Sequence, residues 1–430
     1  MLNMNTKLEK REAEGKIIHT GIVGAGQMGR GMITQMVLMK GITPSIVSDI
    51  EVNNAVNAFK YAGVGDSDIK VAKTLEEANR FMEQGKYVAC EDADFVSKAN
   101  LVECAIDATG VPDVGAKVAT DAIRAKKHVV MLNVETDVVI GPYLKHLAAE
   151  NGVIYTGSAG DEPGAVMELY CFAEAMGLDV KVIGKGKNNR LDYDCNPDSV
   201  MEEAMRRKMS PKMLCAFKDG TKTMVEMTAM SNATGLVPDI IGGHGIACDV
   251  KGLNDMYRLK EDGGILNQYG VVDYVRGIAP GVFATVSTDN EEIAYQMQYH
   301  SMGPGPLWTL YRPYHLCNLE TPLTVAKCVI DGETTIVPKG GLVSECITVA
   351  KTDLKAGQML DGIGGFTTYG SIAAKEESDA KGYVPFGLIT KGARMLKDAK
   401  KGQLLTRDMV ELDENTLIYK LRKEQDGMVF

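Results

Sequence analysis

The chain has 430 residues, of which 45% are hydrophobic and 24% are charged, so it is long enough for two or three domains with separate cores. Its net charge of −10 excludes a chain-wide electrostatic attraction to nucleic acid or to an anionic membrane. No uncharged apolar run reaches the roughly 20 residues that a membrane span needs.

The nine cysteines are scattered without C-x-x-C pairs, and the first residues lack the basic and apolar regions of a signal peptide. Neither a zinc site nor a secreted disulfide framework is indicated. We therefore expect a cytoplasmic protein without a nucleic-acid or membrane partner. Residues 1–15 are polar and helix-prone, which predicts a surface segment packed on the first domain.

An apolar strand runs directly into a glycine-rich turn near the start of the chain, where residues 17–30 read IIHTGIVGAGQMGR. The residues with G-x-G-x-x-G spacing are Gly24, Ala25, Gly26, Gln27, Met28 and Gly29. In a dinucleotide-binding turn one glycine permits the tight turn, one admits the pyrophosphate and one lets the helix approach its strand. The phosphates bind N–H groups at the helix N-terminus. A plain tight turn is the alternative.

The residues after this turn support the dinucleotide-binding interpretation. An amphipathic pattern continues as a predicted helix, and a second apolar strand, 44–47, follows it. Asp49 lies at the end of that strand, 20 residues after Gly29, where a carboxylate can accept the hydroxyls of a ribose. A carboxylate there favours NAD, because it repels a 2′-phosphate.

Two later predicted strands also end in polar turns, and predicted helices at 52–61, 74–84 and 114–126 alternate with the strands. The strand 101–107 leads into DATGVP, and the strand 128–132 leads into NVETD. Such turns border the ligand crevice of an open parallel sheet, so we expect cofactor contacts from Thr109, Gly110, Asn133 and Glu135. A simple connecting loop and, for Glu135 and Asp137, a role as helix-start carboxylates remain as alternatives.

These four strand ends resemble the coenzyme domain of the homoserine dehydrogenase group. The resemblance covers about the first 155 residues. It stops there, because Val134 follows Asn133 where that group has a lysine, and no G-x-D-A-A-x-K-like segment lies downstream.

A glycine-rich loop at 157–164 follows another predicted strand, 151–155, and carries adjacent carboxylates at Asp161 and Glu162. Carboxylate oxygens suit a hard divalent cation, so these two residues are candidate metal ligands and candidate catalytic residues. Asp161 as the N-cap of a helix at 165–176 is the alternative.

The predicted strand 179–183 leads into residues 184–189, which read GKGKNN. Their glycines and lysines predict a flexible basic loop. Lys185 and Lys187 could hold a phosphate or carboxylate of the substrate and stabilise an oxyanion. A solvated basic turn is the alternative.

Three further candidates lie downstream. A Met-rich helix within 217–235 carries Glu226, a carboxylate among apolar residues that needs a partner. Residues 299–318 are rich in Gly, Pro and aromatics, which predicts a ligand-covering loop without regular structure. His315 or His300 of that loop could be a general acid, although a structural role is the alternative.

Residues 320–330 predict a helix that packs back on the first domain.

From about residue 346 the sequence pattern predicts short strands and Lys-x-Gly turns. The segments 349–360 and 395–410 share the same order of lysine, glycine and apolar residues. This segment resembles the SAF domain, a small β-clip module. The combination resembles the SAF-domain NAD(P)-dependent oxidoreductases, including the 1-deoxy-D-xylulose 5-phosphate reductoisomerase-like enzymes. That resemblance implies NADPH and a sugar phosphate substrate, so NAD and NADP both remain open.

The predicted fold class is α/β, with three domains. They are a Rossmann doubly wound parallel sheet (1–156), an α+β catalytic domain (157–345) and a C-terminal β-clip module (346–430). The predicted function is NAD(P)-dependent hydride transfer to or from a small anionic carbonyl or alcohol compound, in a homo-oligomer. The alternatives are a hydroxy-acid dehydrogenase, a homoserine dehydrogenase-like enzyme and a non-catalytic nucleotide-sensing protein.

Overall fold

The computed structural model describes residues 3–430, and the chain divides into two compact units. Unit 1 comprises the described residues up to Asp161 together with Leu316–Val337 and Thr416–Val429. Unit 2 comprises Glu162–His315, Pro338–Asn415 and Phe430. Among the described residues, no helix is long and apolar enough to cross a membrane.

Strands and helices alternate through unit 1 and mix less regularly in unit 2. The strands are β1 Ile18–Val23, β2 Ile42–Ser48, β3 Ile69–Val71, β4 Tyr87–Cys90, β5 Cys104–Asp107, β6 His128–Met131, β7 Tyr155–Gly157, β8 Asp179–Lys187, β9 Val271–Arg276, β10 Val282–Ser287, β11 Trp308–Arg312, β12 Ser344–Ala350, β13 Thr368–Ala374, β14 Arg394–Met395 and β15 Val410–Glu411. The α-helices are α1 Met4–Ala13, α2 Gln27–Leu38, α3 Val52–Tyr61, α4 Leu75–Glu83, α5 Asp94–Lys98, α6 Pro112–Arg124, α7 Val134–Asn151, α8 Glu162–Ala175, α9 Met201–Arg206, α10 Pro211–Lys218, α11 Thr221–Thr234, α12 Leu253–Met256, α13 Glu291–Tyr299, α14 Cys317–Ala326, α15 Lys375–Lys381 and α16 Leu417–Asp426.

Unit 1 is built on a seven-stranded parallel sheet with the order β3-β4-β2-β1-β5-β6-β7. The strand order reverses at β1, which is the arrangement that defines a doubly wound sheet. Ile18 and Ile22 of β1 and Met32 and Met36 of α2 are fully buried in its core. The predicted Rossmann sheet is therefore confirmed.

Several element boundaries in unit 1 differ from the sequence prediction. Residues 151–155 are not a strand, because α7 continues to Asn151 and β7 begins at Tyr155. The strand predicted at 101–107 begins only at Cys104. The N-terminal helix buries Met4 and Leu8 in the core of unit 1, so only its polar face is exposed; Met1 and Leu2 lie outside the described residues.

The returning helix predicted at 320–330 is present in unit 1 as α14, followed by a π-helix at Lys327–Asp331. Val325 of α14 and Cys328 of the π-helix join the same core as the parallel sheet. Asn318 donates to the carbonyl of Met28 at 3.1 Å, which ties the start of α14 to the first turn of α2.

Unit 2 contains a four-stranded sheet with the order β11-β10-β8-β9, in which β8 is parallel to β9 and antiparallel to β10. The prediction of a flexible loop at 184–189 is wrong for its first four residues, which complete β8. Gly184 and Gly186 suggest a turn from the sequence, but in the structure they allow neighbouring backbone segments to pack closely against β8. A Cβ on Gly184 would lie 2.0 Å from the carbonyl oxygen of Asp273, and one on Gly186 would lie 2.4 Å from the nitrogen of Ala279.

Two other parts of unit 2 correct or extend the prediction. The Met-rich pattern within 217–235 predicts a helix with one buried face, but α11 is buried at every residue except Lys222. The segment 299–318 is not free of regular structure, because β11 pairs with β10 and buries Trp308. The density of Gly and Pro around this short strand concealed it.

Residues 338–415 of unit 2 form the antiparallel pairs β12–β13 and β14–β15, with turns at Gly357 and Gly402 in the left-handed region (φ 84° and 82°). Isolated bridges join the two similar halves, among them Leu354 with Ala399. Residues 416–429 belong to unit 1, so the predicted third segment is distributed over both units. The division into three domains stays a prediction.

A buried glutamine from the C-terminal helix repairs a break in α7 of unit 1. Pro142 lies inside α7 and Ile140 has non-helical angles (φ −131°, ψ 16°), which interrupts the helical hydrogen bonds. Gln425 of α16 accepts from the N–H of Tyr143 at 2.9 Å and donates to the carbonyl of Val139 at 2.9 Å. The C-terminal helix is thus part of the structure of unit 1.

Replacing Gln425 by Leu should lower the free energy of unfolding by about 1–3 kcal/mol, because it removes the partner of the buried N–H of Tyr143 and leaves the Val139 carbonyl only its 3.5 Å contact with Arg422. The measurement is a urea titration followed by circular dichroism. Lys423→Ala, an exposed position two residues earlier, is the control and should stay within about 0.5 kcal/mol of wild type. Equal stabilities of the two variants would show that the break in α7 is held by other contacts.

Candidate active site

The three glycines of the G-x-G-x-x-G turn have distinct geometries in unit 1. Gly24 has φ 99°, and a Cβ there would lie 3.0 Å from the carbonyl oxygen of Ala108. A Cβ on Gly29 would lie 1.9 Å from the carbonyl oxygen of Gly24, so α2 packs against its strand only with glycine there. A Cβ on Gly26, the N-cap of α2, would meet nothing within 4 Å. The open side of Gly26 is therefore the face on which a pyrophosphate could bind the helix N-terminus.

Asp49 supports this turn directly. Its Oδ2 accepts from the N–H of Ala25 at 2.8 Å, and its Oδ1 accepts from the N–H of Glu51 and from Asn54. The carboxylate is half-buried beside the glycine turn, where the sequence places it, and its contact with a ribose stays a prediction. The neighbouring Gln27 accepts from Arg30 at 3.0 Å, and Met28 is partly exposed.

The ends of β5 and β6 are joined by a buried polar network rather than by open polar turns. Asn133 donates to Asp107 at 2.8 Å and to the carbonyl of Val111 at 3.0 Å, and it caps α7 by accepting from the N–H of Thr136. Asp107 also accepts from the N–H of Thr109. Burial raises the pKa of Asp107 to about 6. Asn133 is fully buried, so its first role is to fix these two turns.

The carboxylates of the first turn of α7 fit the helix-start alternative. Glu135 and Asp137 both lie in that turn and are buried. Asp137 accepts from the hydroxyl of Tyr155 at 2.8 Å, and burial raises the pKa of Asp137 to about 6. Cofactor contacts from Thr109, Gly110, Asn133 and Glu135 stay predictions.

The ammonium of Lys185 lies between two carboxylates in the interior of unit 2. Lys185 Nζ donates to Glu162 Oε1 at 2.5 Å and to Glu226 Oε2. These residues come from β8, the first turn of α8 and the middle of α11. Burial alone would lower the pKa of Lys185, but the two carboxylates outweigh it and raise the pKa. We call this group the Lys185 triad. Because its pKa is raised, the side chain of Lys185 stays protonated at neutral pH.

Lys187, two residues further along β8, has a different environment. Its Nζ donates to the carbonyl of Phe217 at 2.8 Å, a neutral partner. Burial, followed by the positive charge of Lys185, lowers the pKa of Lys187 to about 8. Lys187 therefore changes protonation near neutral pH, whereas Lys185 does not.

The structure distinguishes the two candidate histidines. His315 Nε2 lies 3.4 Å from Glu162 Oε1, so His315 borders the Lys185 triad. His300 is exposed at the end of α13 and contacts the ring of Tyr299 edge-on. The structure thus brings four of the predicted catalytic residues together within unit 2, namely Lys185, Glu162, Glu226 and His315.

The predicted metal ligands belong to different units. Asp161 is the last residue of its segment of unit 1 and accepts a weak hydrogen bond from Cys317 Sγ at 3.7 Å. It directly precedes α8, as its alternative role requires. In unit 2 the ammonium of Lys185 already supplies a positive charge between Glu162 and Glu226. The metal site stays a prediction, and no step below uses one.

One family model matches the chain. Residues 160–321 match the catalytic domain of the oxidoreductase DRL, and this segment contains the whole Lys185 triad. The match confirms the predicted class, an oxidoreductase, for the part of the chain that it covers. No curated protein matches the sequence.

Several solved structures are similar to this chain at low identity. A probable dehydrogenase from Thermotoga maritima has 14% identity and a TM-score of 0.41, with coverage of 75% of this chain and 91% of that one. Scyllo-inositol dehydrogenase from Lactobacillus casei, solved with NAD(H) and scyllo-inositol, has 12% identity and a TM-score of 0.40, with coverage of 75% and 92%. Because these TM-scores are below 0.5, the likenesses carry no argument about function.

The glycine turn gives a matched pair of variants. Gly26→Ala places a methyl group in open space, so the protein should fold normally but bind NADH and NADPH at least about tenfold more weakly, a change of ~1.4 kcal/mol. Gly29→Ala should instead destabilise the fold, because its methyl group would overlap the carbonyl oxygen of Gly24. Calorimetric titration and thermal unfolding separate the two effects. Unchanged nucleotide affinity in Gly26→Ala would place the nucleotide elsewhere.

Proposed function

We propose that the protein is an NAD(P)-dependent oxidoreductase that transfers hydride between nicotinamide and a small carbonyl or alcohol compound. The observation that carries the proposal is the Lys185 triad, a buried ammonium within the segment that matches an oxidoreductase catalytic domain. A sugar phosphate is the substrate class that the SAF-domain resemblance favours. The likeness of residues 346–430 to a SAF module remains part of this proposal.

Unit 1 would hold the nucleotide at the glycine turn, with the pyrophosphate on the open side of Gly26. When bound, the nicotinamide supplies or accepts the hydride. Asp49 beside the turn favours NAD, whereas the reductoisomerase-like resemblance favours NADP. We propose that either nucleotide binds and that Asp49 weakens binding of the phosphorylated form.

Lys185 would stabilise the negative charge that develops on the carbonyl oxygen during reduction. An ammonium has three hydrogens, and two of those on Lys185 are directed to Glu162 and Glu226. The third can donate to a substrate oxygen. Because the triad is buried and its geometry is fixed by three elements, this donor would cost little reorganisation at the moment of reaction.

Lys187 would supply the proton that converts the oxyanion into an alcohol. A general acid works best when its pKa is close to the operating pH, and the pKa of Lys187 is about 8. At neutral pH the group is mostly protonated in the free protein and can donate. Above pH 8 it loses the proton, so reduction should slow as the pH rises. His315 beside Glu162 is the second candidate for this role.

A hydroxy-acid dehydrogenase would use the same groups, so the site does not by itself select the sugar phosphate. A non-catalytic nucleotide sensor would bind NAD(P)H without turnover. Assays with sugar phosphates, hydroxy acids and semialdehydes distinguish these possibilities, because the two enzyme functions predict oxidation of NAD(P)H with different members of the panel.

Lys185→Met should raise the activation free energy by about 2–4 kcal/mol, which lowers kcat/KM by roughly two to three orders of magnitude. Nucleotide affinity should be unchanged. Lys187→Met should lower it as well and should also remove the decline of activity above pH 8. Steady-state kinetics in the direction of NAD(P)H oxidation measure both effects.

Lys181→Met is the control, because Lys181 lies on the same strand but pairs with Asp179 away from the triad, and its activity should match wild type. Loss of Lys185 leaves the carboxylates of Glu162 and Glu226 within 4.8 Å of each other without the ammonium between them, so Lys185→Met/Glu226→Gln replaces the single variant if that variant does not fold. Activity within about threefold of wild type in folded Lys185 and Lys187 variants would contradict the proposed roles.

A further inference from the structure

A second buried cluster in unit 2 is not used by the proposed reaction. Its members come from the loop after β8, from α10 and its C-terminal end, and from the residue after β12: Cys195, Cys215, Asp219 and Lys351. All four are buried, with exposed fractions of 2%, 0%, 0% and 1%, respectively. None of the four belongs to a recognisable sequence motif.

Lys351 fills the centre of this cluster. Its ammonium donates to Asp219 Oδ2 at 2.7 Å, to the carbonyl of Gly365 at 2.9 Å and to the carbonyl of Cys195 at 3.1 Å, and Cys215 Sγ lies 3.4 Å from the same nitrogen. Burial alone would lower the pKa of Lys351, but the charge and hydrogen bond of Asp219 outweigh it and raise the pKa. The thiols and Asp219 thus already surround a cation, which argues against a metal ion there.

The two thiols face each other beside this ammonium. Cys195 Sγ and Cys215 Sγ are 3.5 Å apart, at hydrogen-bond distance for sulfur. The hydrogen bond from Cys195 and the charge of Lys351 both lower the pKa of the Cys215 thiol. The position of the Lys351 ammonium, 3.4 Å from Cys215 Sγ, favours Cys215 as the attacking thiol, and Cys195 Sγ is close enough to act as the resolving thiol.

Access for a small oxidant depends on the segment that carries Cys195. Residues 188–200 form neither helix nor strand, and they are joined to α10 by the bond from the N–H of Asp192 to the carbonyl of Lys218. Local opening of such a segment costs less than global unfolding, and the proposal below uses this opening as the step that admits the oxidant to the two sulfur atoms.

We propose that Cys195 and Cys215 form a redox-active dithiol that a hydroperoxide oxidises to a disulfide. The Cys215 thiolate attacks one peroxide oxygen, which breaks the O–O bond, forms a sulfenic acid and releases an alkoxide or hydroxide that takes up a proton. Cys195 then attacks the sulfur of Cys215, and the departing hydroxide leaves as water with the proton of the Cys195 thiol. Two thiols and one hydroperoxide give one disulfide, one alcohol or water, and one further water.

The test uses the full-length protein, reduced and then treated with a small excess of hydrogen peroxide under native conditions. Remaining thiols are alkylated, and peptides are mapped by mass spectrometry without reduction. The expected product is a linked pair of peptides containing Cys195 and Cys215, lighter by two hydrogen atoms and separated again by dithiothreitol. Cys171→Ser, which removes an exposed thiol, should give the same product.

Cys195→Ser should instead accumulate sulfenic or sulfinic acid at Cys215, detected by the mass of the added oxygen. The unmodified protein provides the decisive result if either cysteine variant does not fold. Three results for the full-length protein would overturn the proposal. They are an oxygen-bridged link between Cys215 and Lys351, sulfinic acid at Cys215 together with an alkylated Cys195, and a Cys195–Cys215 disulfide that forms only in denaturant.

Discussion

The ammonium of Lys185 is the constraint on which the interior of unit 2 depends. A charge buried among a sheet and two helices is tolerated only with opposite charges in good geometry, and Glu162 and Glu226 provide them. Removal of one partner from such a group typically costs about 3–5 kcal/mol, because a buried charge is left uncompensated. The start of α8, the middle of α11 and the end of β8 are therefore held in one arrangement. The same balance keeps Lys185 positively charged.

Glycines make both candidate sites possible by letting backbone segments come close. In unit 2 the glycines on either side of Lys185 allow β8 to lie against Asp273 and Ala279, where any side chain would collide. In unit 1 Gly29 lets α2 lie against the end of β1. One sequence signal, glycine near a strand end, thus has two physical meanings: open space at the helix N-terminus at Gly26, and close packing inside a strand at Gly184 and Gly186.

The parallel sheet of unit 1 could be predicted because its signals are local. Apolar strands, amphipathic helices and the spacing from Gly29 to Asp49 are set by residues close in sequence, and α3 matches its predicted range, 52–61. The Lys185 triad could be predicted only as separate residues, since 41 positions separate Lys185 from Glu226. The cluster around Lys351 was missed because Lys351 and Asp219 are 132 positions apart and neither belongs to a recognisable motif.

The central claim is that two lysines of one strand differ in protonation because only one has carboxylate partners. Nuclear magnetic resonance of protein labelled with nitrogen-15 in its lysine side chains tests this most directly, with Lys185→Met/Glu226→Gln and Lys187→Met used for assignment. The account predicts that the Lys187 resonance titrates near pH 8 while the Lys185 resonance keeps its ammonium shift up to at least pH ~9. Titration of Lys185 in the same range as Lys187, or titration of Lys187 only near the usual value of about 10.4, would contradict it.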